Sequence, residues 1–213
     1  MLLKENISLM AQLTNKIINR LMLYHCLLKY SALDKISISS AEIAELLSLD
    51  DSLVRKDIEL CGVLGRQRHG YPVKELKIAI ENQLGFSKRK EVFILGAGYL
   101  GAALAHFADF KDYGIDILAL FDNDERKIGM EIRGKRVLDI SKLENLIARM
   151  GVKNVILTVP PEVAQEVTDY AVKCGVECIW NFTPAILKVP SSVTIYYENV
   201  VSSFLQMRNE VTV

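Results

Sequence analysis

The 213-residue chain contains few of the residues that build metal centres and disulfide frameworks, with only three histidines and four cysteines. Cys26, Cys61, Cys174 and Cys178 form no C-x-x-C pair, so their spacing excludes the common zinc and dithiol motifs. We therefore expect no metal site, and reduced thiols that are mostly buried. A thiol-based redox sensor is the alternative for these cysteines, although nothing in their spacing favours it.

The chain also lacks a long hydrophobic run. No apolar stretch approaches the roughly 20 residues that cross a bilayer, and residues 1–5 carry an acid early and show no signal-peptide pattern. We expect a cytoplasmic protein with no membrane partner. Half of the residues are hydrophobic and 24% are charged, without repeats or low-complexity tracts, which is typical of a globular protein with a substantial core.

The formal net charge is zero, but the two halves of the chain differ. Residues 1–90 contain 14 Lys and Arg against 10 Asp and Glu, whereas residues 91–213 contain 12 against 16. A basic N-terminal half suits a polyanionic partner, although a surplus of this size is common in inert domains as well.

The N-terminal part of the chain follows a helical pattern. Apolar residues recur at helical spacing through the first 30 residues, Ser39 or Ser40 can cap a second helix ending near Leu47, and Asp50 or Asp51 can cap a third. Residues 66–72 are polar, basic and punctuated by glycine, which indicates a hairpin or wing, and residues 73–84 are predicted as a further helix. This order predicts a winged helix-turn-helix domain over residues 1–87.

The third predicted helix carries the first candidate DNA contacts. Arg55 and Lys56 lie one turn into it, where side chains reach base edges or phosphates in the major groove, and the wing adds basic residues. The predicted DNA-binding residues are Ser52, Arg55, Lys56, Arg66, Arg68, His69 and Tyr71. A solvated helix face is the alternative for Arg55 and Lys56. A winged helix that binds protein is the alternative for the domain.

Residues 88–197 alternate between strand and helix patterns. We predict strands at 91–95, 115–121, 154–159, 178–182 and 193–197. We predict helices at 100–107, at 141–150 with Ser141 as the cap, and at 161–174 with Pro161 in the first turn. The alternation predicts an α/β fold with a doubly wound parallel sheet, the Rossmann architecture. Residues 198–213 are predicted as a C-terminal helix.

A dinucleotide fingerprint follows the first of these strands. Gly96, Gly98 and Gly101 form G-x-G-x-x-G between an apolar strand and a helix. In this motif the first glycine permits a tight turn, the second lets backbone approach a diphosphate, and the third lets the helix pack on the sheet. Asp122 lies 21 residues beyond Gly101, where a carboxylate bonds the ribose hydroxyls of NAD and repels the 2′-phosphate of NADP. We therefore predict NAD(H) as the cofactor.

Further candidates lie at the carboxyl ends of strands, which border the crevice in such sheets. Residues 158–160 and 181–182 are placed to flank the nicotinamide, with core packing as the alternative for Phe182. Arg126 and Lys127 lie near Asp122 and soften its rejection of NADP. The predicted cofactor-binding residues are Gly96, Ala97, Gly98, Tyr99, Leu100, Gly101, Asp122, Lys127, Thr158, Val159, Pro160, Asn181 and Phe182.

The sequence contains no recognisable catalytic set, and we predict that the protein is not an enzyme. Tyr170 and Lys173 are three residues apart, whereas short-chain dehydrogenases use a pair four apart on one helix face, and no histidine follows a strand end. An NAD-dependent oxidoreductase is the alternative function. CoA or another nucleotide is the alternative ligand for the crevice.

Six segments together match the pattern of a known family: residues 54–57, 65–71, 96–101, 121–124 with 127–129, 157–160 with 164–165, and 181–184 with 189–190. From about residue 13 to residue 205, the sequence resembles the Rex family of bacterial redox-sensing transcriptional repressors. The resemblance implies a homodimer that binds double-stranded operator DNA, with each C-terminal helix inserted between the two domains of its partner. It also implies that NADH closes the paired Rossmann domains and releases DNA, whereas NAD+ competes without driving release.

Three positions depart from the family pattern. Well-studied members carry a Tyr, an Arg and an Asp that exchange partners between the two states, where this chain has Phe107, Cys26 and Asn199. Residues 59–63 and one wing position, Arg68 or His69 in place of a glycine, also differ. We therefore predict that NADH releases DNA less steeply here than in a typical member.

Overall fold

The computed structural model describes residues 13–32, 34–66, 69–199, 201–202 and 204–205. Its contacts divide the chain into two units, Met1–Lys88 and Arg89–Val213, which are considered separately below. The predicted boundary after residue 87 lies one residue before this division. Within the described parts of the chain, no helix has the length and apolar character needed to span a bilayer.

The first unit consists of short helices joined by a two-stranded ribbon. Thr14, Ser39 and Asp50 each accept a backbone N–H at the start of a helix, as short polar side chains do at N-caps. The predicted helices and two of their caps are therefore confirmed. The elements are α1 (Asn15–Cys26), a π-helical turn (Leu27–Ser31), β1 (Ser37–Ile38), α2 (Ser40–Leu47), α3 (Asp51–Leu60), β2 (Tyr71–Pro72) and α4 (Val73–Leu84).

One apolar core joins these helices. β1 pairs with β2 in antiparallel fashion, so the end of the predicted wing is tied to the segment before α2. Leucine and isoleucine side chains from all four helices are buried against each other, and this burial is the main source of the unit's stability. The fully buried residues of this core include Leu21, Tyr24, Ile43, Val54, Ile58, Leu76 and Ile80.

The second unit is a seven-stranded sheet with helices. Neighbouring strands follow the order β5-β6-β4-β3-β7-β8-β9, and all pairs are parallel except β5 with β6. The elements are β3 (Lys90–Leu95), α5 (Tyr99–His106), a 3-10 helix (Ala108–Lys111), β4 (Ile115–Asp122), β5 (Glu131–Ile132), β6 (Lys135–Asp139), a 3-10 helix (Ile140–Lys142), α6 (Leu143–Met150), β7 (Asn154–Leu157), α7 (Ala164–Lys173), β8 (Cys178–Asn181) and β9 (Thr194–Tyr197).

This strand order is the doubly wound Rossmann order. The chain leaves β3 toward β4 on one side and later returns to β7 on the other side, so the direction of winding reverses at β3. In open parallel sheets a ligand crevice forms at the carboxyl ends of the strands at such a reversal. Phe93 and Leu95 on one face of β3, and Val92 and Ile94 on the other, are buried in two separate clusters, as expected for a central strand.

Several predicted boundaries in this unit are wrong. Asp139, and not Ser141, supplies the cap before α6, because its carboxylate accepts the N–H of Ser141 at 2.8 Å. The helix predicted from residue 161 begins at Ala164, and Pro161 lies in the turn before it. The hairpin of β5 and β6 is absent from the sequence prediction, although β6 extends the parallel sheet beside β4.

The predicted C-terminal helix lies largely outside the described residues. Residues 201, 202, 204 and 205 are helical, and the side-chain oxygen of Asn199 accepts the N–H of Ser202 at 3.0 Å. Asn199 therefore caps this helix, as an aspartate at the same place would.

Candidate functional sites

A cavity of about 970 Å³ opens at the carboxyl ends of β3, β4 and β7. It lies where the strand order reverses, which is the position expected for a nucleotide. Its lining residues are Leu95, Gly96, Gly98, Phe121, Asp122, Asn123, Asp124, Lys127, Ile140, Ser141, Thr158, Val159, Pro160, Val163, Glu166, Val167 and Tyr170.

The glycine loop is packed tightly against the end of β7. Gly96 has a φ of +103°, and a Cβ there would lie 2.9 Å from the carbonyl group of Thr158. A Cβ on Gly101 would lie 2.0 Å from the carbonyl oxygen of Gly96. The Thr158 hydroxyl donates to that same oxygen at 2.9 Å, so it holds the loop in place. The first and third glycines are therefore required by protein contacts alone.

Gly98 has a different surrounding. It is the N-cap residue of α5, and a Cβ there would meet no protein atom within 4 Å. No side chain in the described part of the chain caps this helix, and Gly98 lines the cavity. Free N–H groups and the helix dipole at such a terminus favour a bound anion. The open space beside Gly98 therefore suits the diphosphate of a dinucleotide.

Asp122 lies beside the glycine loop, at the end of β4. Its carboxylate accepts the N–H of Ala97 at 2.8 Å and the ammonium of Lys127 at 3.0 Å through Oδ2, and the N–H of Asp124 at 2.9 Å through Oδ1. Burial raises the pKa of this carboxyl, but these three donors together hold its pKa below the ordinary value. Asp122 is therefore ionised at neutral pH and is fixed as a hydrogen-bond acceptor for a ribose.

The two cations near Asp122 are already engaged. Arg126 donates to both oxygens of Asp124, at 2.9 and 2.8 Å, and this bidentate pair lowers the pKa of Asp124 to about 2. Lys127 contacts Asp122. Neither side chain is free to receive a 2′-phosphate without giving up a carboxylate partner, which supports NAD over NADP.

The structure brings some predicted cofactor residues to the cavity and leaves others away from it. Ala97 contributes its N–H to Asp122, and Gly101 packs beneath the loop. Tyr99 is fully exposed and Leu100 is 44% exposed, outside the lining. The predicted residues that line the cavity are Gly96, Gly98, Asp122, Lys127, Thr158, Val159 and Pro160.

Asn181 and Phe182 do not line the cavity. The buried amide of Asn181 accepts the N–H of Thr183 at 2.9 Å and donates to the carbonyl of Ala185 at 3.1 Å, so it shapes the loop after β8. Phe182 contacts Trp180 with ring centroids 4.8 Å apart and ring planes tilted by 50°, and it packs against the core on one sheet face. A role for these two residues in holding the nicotinamide stays a prediction.

The sequence prediction missed one wall of the cavity, formed by α7 and the turn before it. Val163, Glu166, Val167 and Tyr170 recur at helical spacing and face the cavity together. Burial and the neighbouring thiol of Cys174 raise the pKa of Tyr170. Its phenol therefore stays protonated at neutral pH, and it provides a flat, mostly apolar surface with one hydroxyl.

In the first unit, one face of α3 is open to solvent. Ser52, Arg55, Lys56 and Glu59 are exposed and share this face. The N–H groups of Ser52 and Leu53 both donate to the Asp50 carboxylate, at 2.8 and 3.1 Å. A phosphate at this helix terminus would therefore meet a carboxylate where the sequence suggested free N–H groups, and Ser52 as a phosphate contact stays a prediction.

Two of the predicted basic contacts, Arg55 and Arg66, have acidic partners. Arg55 pairs with Asp51 one turn earlier, and Arg66 donates to Glu75 at 3.2 Å. Tyr71 packs its ring beside Gly65, where a Cβ would lie 3.2 Å from the ring. The backbone N–H of His69 closes a turn on the Arg66 carbonyl at 3.0 Å. Arg68 lies outside the described residues, and Lys56 is exposed.

A buried ion pair fixes α3 against α1. Arg20 donates to both oxygens of Asp57, at 2.6 and 2.7 Å, and the Tyr24 hydroxyl donates to the same carboxylate at 2.8 Å. Asp57 is 2% exposed, and these contacts raise the pKa of Arg20. The pair sets the orientation of α3, and the sequence prediction assigned no role to it.

The cysteines offer no activated thiol among those with a shifted pKa. Burial and the nearby Asp57 raise the pKa of Cys61 to about 11, and burial raises the pKa of Cys174. Reactive cysteines have lowered values. All four thiols are free, but the expectation that they are mostly buried is wrong, because three are half-buried and Cys178 is exposed. Within the described residues, no group of three or more His, Cys, Asp or Glu is placed to hold a metal ion.

The fold and the cavity define a class of protein, a winged helix joined to a Rossmann domain built to hold a nucleotide. Two family models match the chain, "CoA binding domain" over residues 87–185 and "Putative DNA-binding protein N-terminus" over residues 13–59. The redox-sensing transcriptional repressor Rex of Treponema denticola is 42% identical over 89% of this chain and 91% of its own length. That of Chloroflexus aurantiacus is 36% identical over 90% and 91%.

Solved structures agree with these relatives. A crystal structure of RSP, a Rex-family repressor, in complex with β-NAD+ and operator DNA matches with a TM-score of 0.83 and 34% identity, covering 93% of this chain and 92% of that one. RSP in complex with β-NADH matches with a TM-score of 0.81 and 31% identity, covering 94% of each. The chain belongs to the Rex family of redox-sensing transcriptional repressors. The predictions of the family and of a function other than catalysis are confirmed.

Proposed function

We propose that this chain is a cytoplasmic transcriptional repressor that binds operator DNA through residues 1–87 and NADH or NAD+ through residues 88–197. We further propose that it acts as a homodimer in which residues 198–213 are exchanged between subunits. The names of the Rex relatives and the RSP complexes with operator DNA, NAD+ and NADH support this function.

The observation that carries the proposal is the space beside Gly98. A Cβ at this position would touch no protein atom, although Gly96 and Gly101 on either side are hemmed in by backbone. The glycine therefore serves something outside the protein, and the helix terminus next to it suits a diphosphate. Asp122, ionised and held by three donors, is the matching acceptor for the ribose that follows.

NAD(H) fits this crevice better than CoA, the ligand named in one of the family models. The adenosine ribose of CoA carries a 3′-phosphate, which would place a second negative charge against the Asp122 carboxylate. The neighbouring cations Arg126 and Lys127 are paired with Asp124 and Asp122. A ribose with two free hydroxyls avoids this repulsion and donates to Asp122.

The protonation state of Tyr170 in the cavity lining favours sensing over catalysis. Hydride transfer enzymes place an acid or base beside the nicotinamide. Tyr170 has a raised pKa, caused by burial and by Cys174, so no neighbour activates its phenol. Bound NAD(H) would thus supply a redox-dependent shape and charge, and the residues of this chain would supply binding and orientation.

A response to NADH requires that the ligand prefer one arrangement of the dimer over the other. The test is a selection of genomic fragments by the purified full-length dimer, repeated with NADH and with NAD+. We expect enrichment of a defined operator without ligand or with NAD+, and reduced retention with NADH. The proposal fails if the protein binds NADH but enriches no promoter fragment at low ionic strength.

A further inference from the structure

A second cavity, of about 190 Å³, lies in the Rossmann unit between the 3-10 helix Ala108–Lys111 and the β5–β6 hairpin. Ile115 and Lys135, which begin β4 and β6, line it. It is therefore at the amino ends of the strands, opposite the edge that holds the nucleotide crevice. The residues that line it are Ala105, Phe107, Phe110, Lys111, Ile115, Ile117, Arg133 and Lys135.

Three cations from three separate elements converge on this cavity. Lys111 ends the 3-10 helix, Arg133 lies in the hairpin turn, and Lys135 begins β6. Within the described part of the chain, no acidic residue is among those that line it. Burial and the charges of Lys111 and Arg133 lower the pKa of Lys135, against the opposing effect of Asp116. The cluster thus carries an electrostatic cost that a bound anion would remove.

One hydrogen bond orients the Arg133 side chain in the absence of a ligand. Its Nη1 donates to the carbonyl oxygen of His106 at 3.1 Å, and its φ of +50° belongs to the tight turn it forms with Gly134. A planar guanidinium in a fixed position is well suited to phosphate, whose oxygens accept parallel hydrogen bonds. The lysines add point charges on flexible stems.

A smaller cavity of about 70 Å³ continues the basic surface along the same edge. Arg89 and Lys111 line it, together with Asp116, whose carboxylate lies 4.0 Å from the Lys111 ammonium. Asp116 is the one carboxylate among the residues that line the two cavities. Four cations therefore face one acid along this edge, even though residues 91–213 as a whole are acidic.

We infer that this cavity is a binding site for a phosphate group, held by Arg133, Lys111 and Lys135 at the amino ends of β4 and β6. Ala105, Ile117 and Phe110 are apolar residues of its lining, and Ala105 and Ile117 are buried. The phosphate comes from one of two sources, the backbone of bound DNA or a small phosphate-bearing molecule. The NAD(H) crevice plays no part in this inference.

The test variant is the double substitution Lys111→Gln and Lys135→Gln in the full-length protein, which spares the structural bond of Arg133. The control is Lys173→Gln and Lys188→Gln, which removes the same charge from exposed positions of the same unit. Both are first checked for an NADH-induced rise in melting temperature, since a retained rise shows an intact Rossmann unit. Inorganic phosphate is then titrated by calorimetry, with saturating NAD+ and with chloride keeping ionic strength constant.

We expect phosphate binding by the parent and the control, and at least tenfold weaker binding by the test variant. Operator binding is measured in parallel as a function of salt. If DNA supplies the phosphate, the test variant loses about one unit of the log–log salt slope, and if a small molecule supplies it, the slope is unchanged. Equal phosphate affinity in test and control variants, with equal slopes, overturns the inference. Because the phosphate titration needs no DNA, it stands even if the proposed repressor function fails.

Discussion

Gly98 and Gly101 lie three residues apart in the glycine loop, and a Cβ added at each would meet different surroundings. Gly101 faces the backbone of Gly96, so its role is to let α5 pack against the sheet. Gly98 faces only the cavity. The effects of an added methyl group on stability and on ligand affinity should therefore separate at these two positions.

We predict that Gly98→Ala leaves the melting temperature of the ligand-free protein unchanged and weakens NADH binding by tenfold or more. Gly101→Ala should instead destabilise the ligand-free protein by about 1–3 kcal/mol, because its Cβ overlaps a backbone oxygen. Differential scanning fluorimetry with and without NADH, followed by calorimetry, measures both quantities. Unchanged NADH affinity in Gly98→Ala would contradict the assignment of the diphosphate to this place.

Asp122 gives a second prediction at the residue scale. Asp122→Asn removes the charged ribose acceptor and frees Lys127, so we expect NADH to bind about tenfold more weakly and NADPH more tightly than to the parent. Fluorescence titrations with NADH and with NADPH measure the ratio of the two dissociation constants. Asp169→Asn, on the exposed side of α7, is the matched control. An unchanged preference for NADH over NADPH would show that another residue selects the cofactor.

The pH dependence of Asp122 follows from the direction of its pKa. Because the folded-state pKa is lowered, the stabilisation from its ionised form is complete above the ordinary carboxyl range, near about 4, and is lost as pH falls through the lower folded value. We therefore expect the contribution of Asp122 to NADH affinity to be constant between pH 6 and pH 8. The difference between parent and Asp122→Asn in calorimetric titrations at both pH values measures this contribution.

The sequence predicts those cavity residues whose positions depend on the local path of the chain. The glycine spacing and Asp122 are set by a single strand–turn–helix and the next strand, and these positions reached the cavity. Glu166 and Tyr170 reach it because α7 packs beside it, which depends on tertiary contacts. Asn181 and Phe182 follow a strand end as expected, but their side chains turn into a loop and a core.

The solvent-exposed face of α3 carries charges of both signs. Arg55 and Lys56 are offset by Glu59 on the same face and by Asp51, which pairs with Arg55. An exposed pair of this kind is worth little to stability, so its main effect is on what Arg55 is free to contact. The paired carboxylate holds the guanidinium near the start of the helix.

We predict that Arg55→Ala weakens operator binding by about 1–3 kcal/mol, because it removes a cation from the exposed face of α3 that we propose contacts DNA. Asp51→Ala should strengthen binding to unrelated duplex DNA, since Arg55 is released and one negative charge is lost. Fluorescence anisotropy with operator and scrambled duplexes compares the two, with Glu45→Ala on the exposed side of α2 as control. If Asp51→Ala weakens both kinds of binding, the carboxylate serves to present Arg55 to DNA.

The Arg20–Asp57 pair gives a prediction about how α3 is held. Asp57→Ala leaves a guanidinium and the Tyr24 hydroxyl without their shared acceptor, which should destabilise the first unit by at least about 2 kcal/mol. Hydrogen exchange of the α3 amides in the full-length protein measures the loss, with amides of β3 as an internal reference. Unchanged protection in α3 would show that apolar packing alone positions this helix.

Elements with strong local signals were predictable, and those without them were not. The capped helices of the first unit follow from short polar residues placed before apolar periodicity. The β5–β6 hairpin has two-residue and five-residue strands around a turn of Arg133 and Gly134, both with positive φ. Hairpin turns with positive φ usually contain Asn, Asp or Gly, and an arginine at this place gives no such sequence signal. The sequence therefore does not predict strands β5 and β6.

As a member of the Rex family, the whole molecule is expected to couple NADH binding to the release of operator DNA. Three positions associated with that coupling hold Cys26, Phe107 and Asn199, none of which carries the charge or hydroxyl of typical members. We predict that NADH releases operator DNA only partially and over a broad concentration range. Anisotropy titrations with NADH over excess NAD+ measure the steepness, and complete, steep release at micromolar NADH would contradict this.

Asn199 caps the C-terminal helix but lacks the negative charge that an aspartate would carry. Its side-chain oxygen accepts the N–H of Ser202. This bond needs only one oxygen, so the second group on the side-chain carbon can be the amide nitrogen of Asn or the second oxygen of Asp. An asparagine therefore caps the helix as well as an aspartate does. We therefore expect the response to NADH to be adjustable at this position without loss of the helix cap, and one base change in an asparagine codon is enough to introduce the acid.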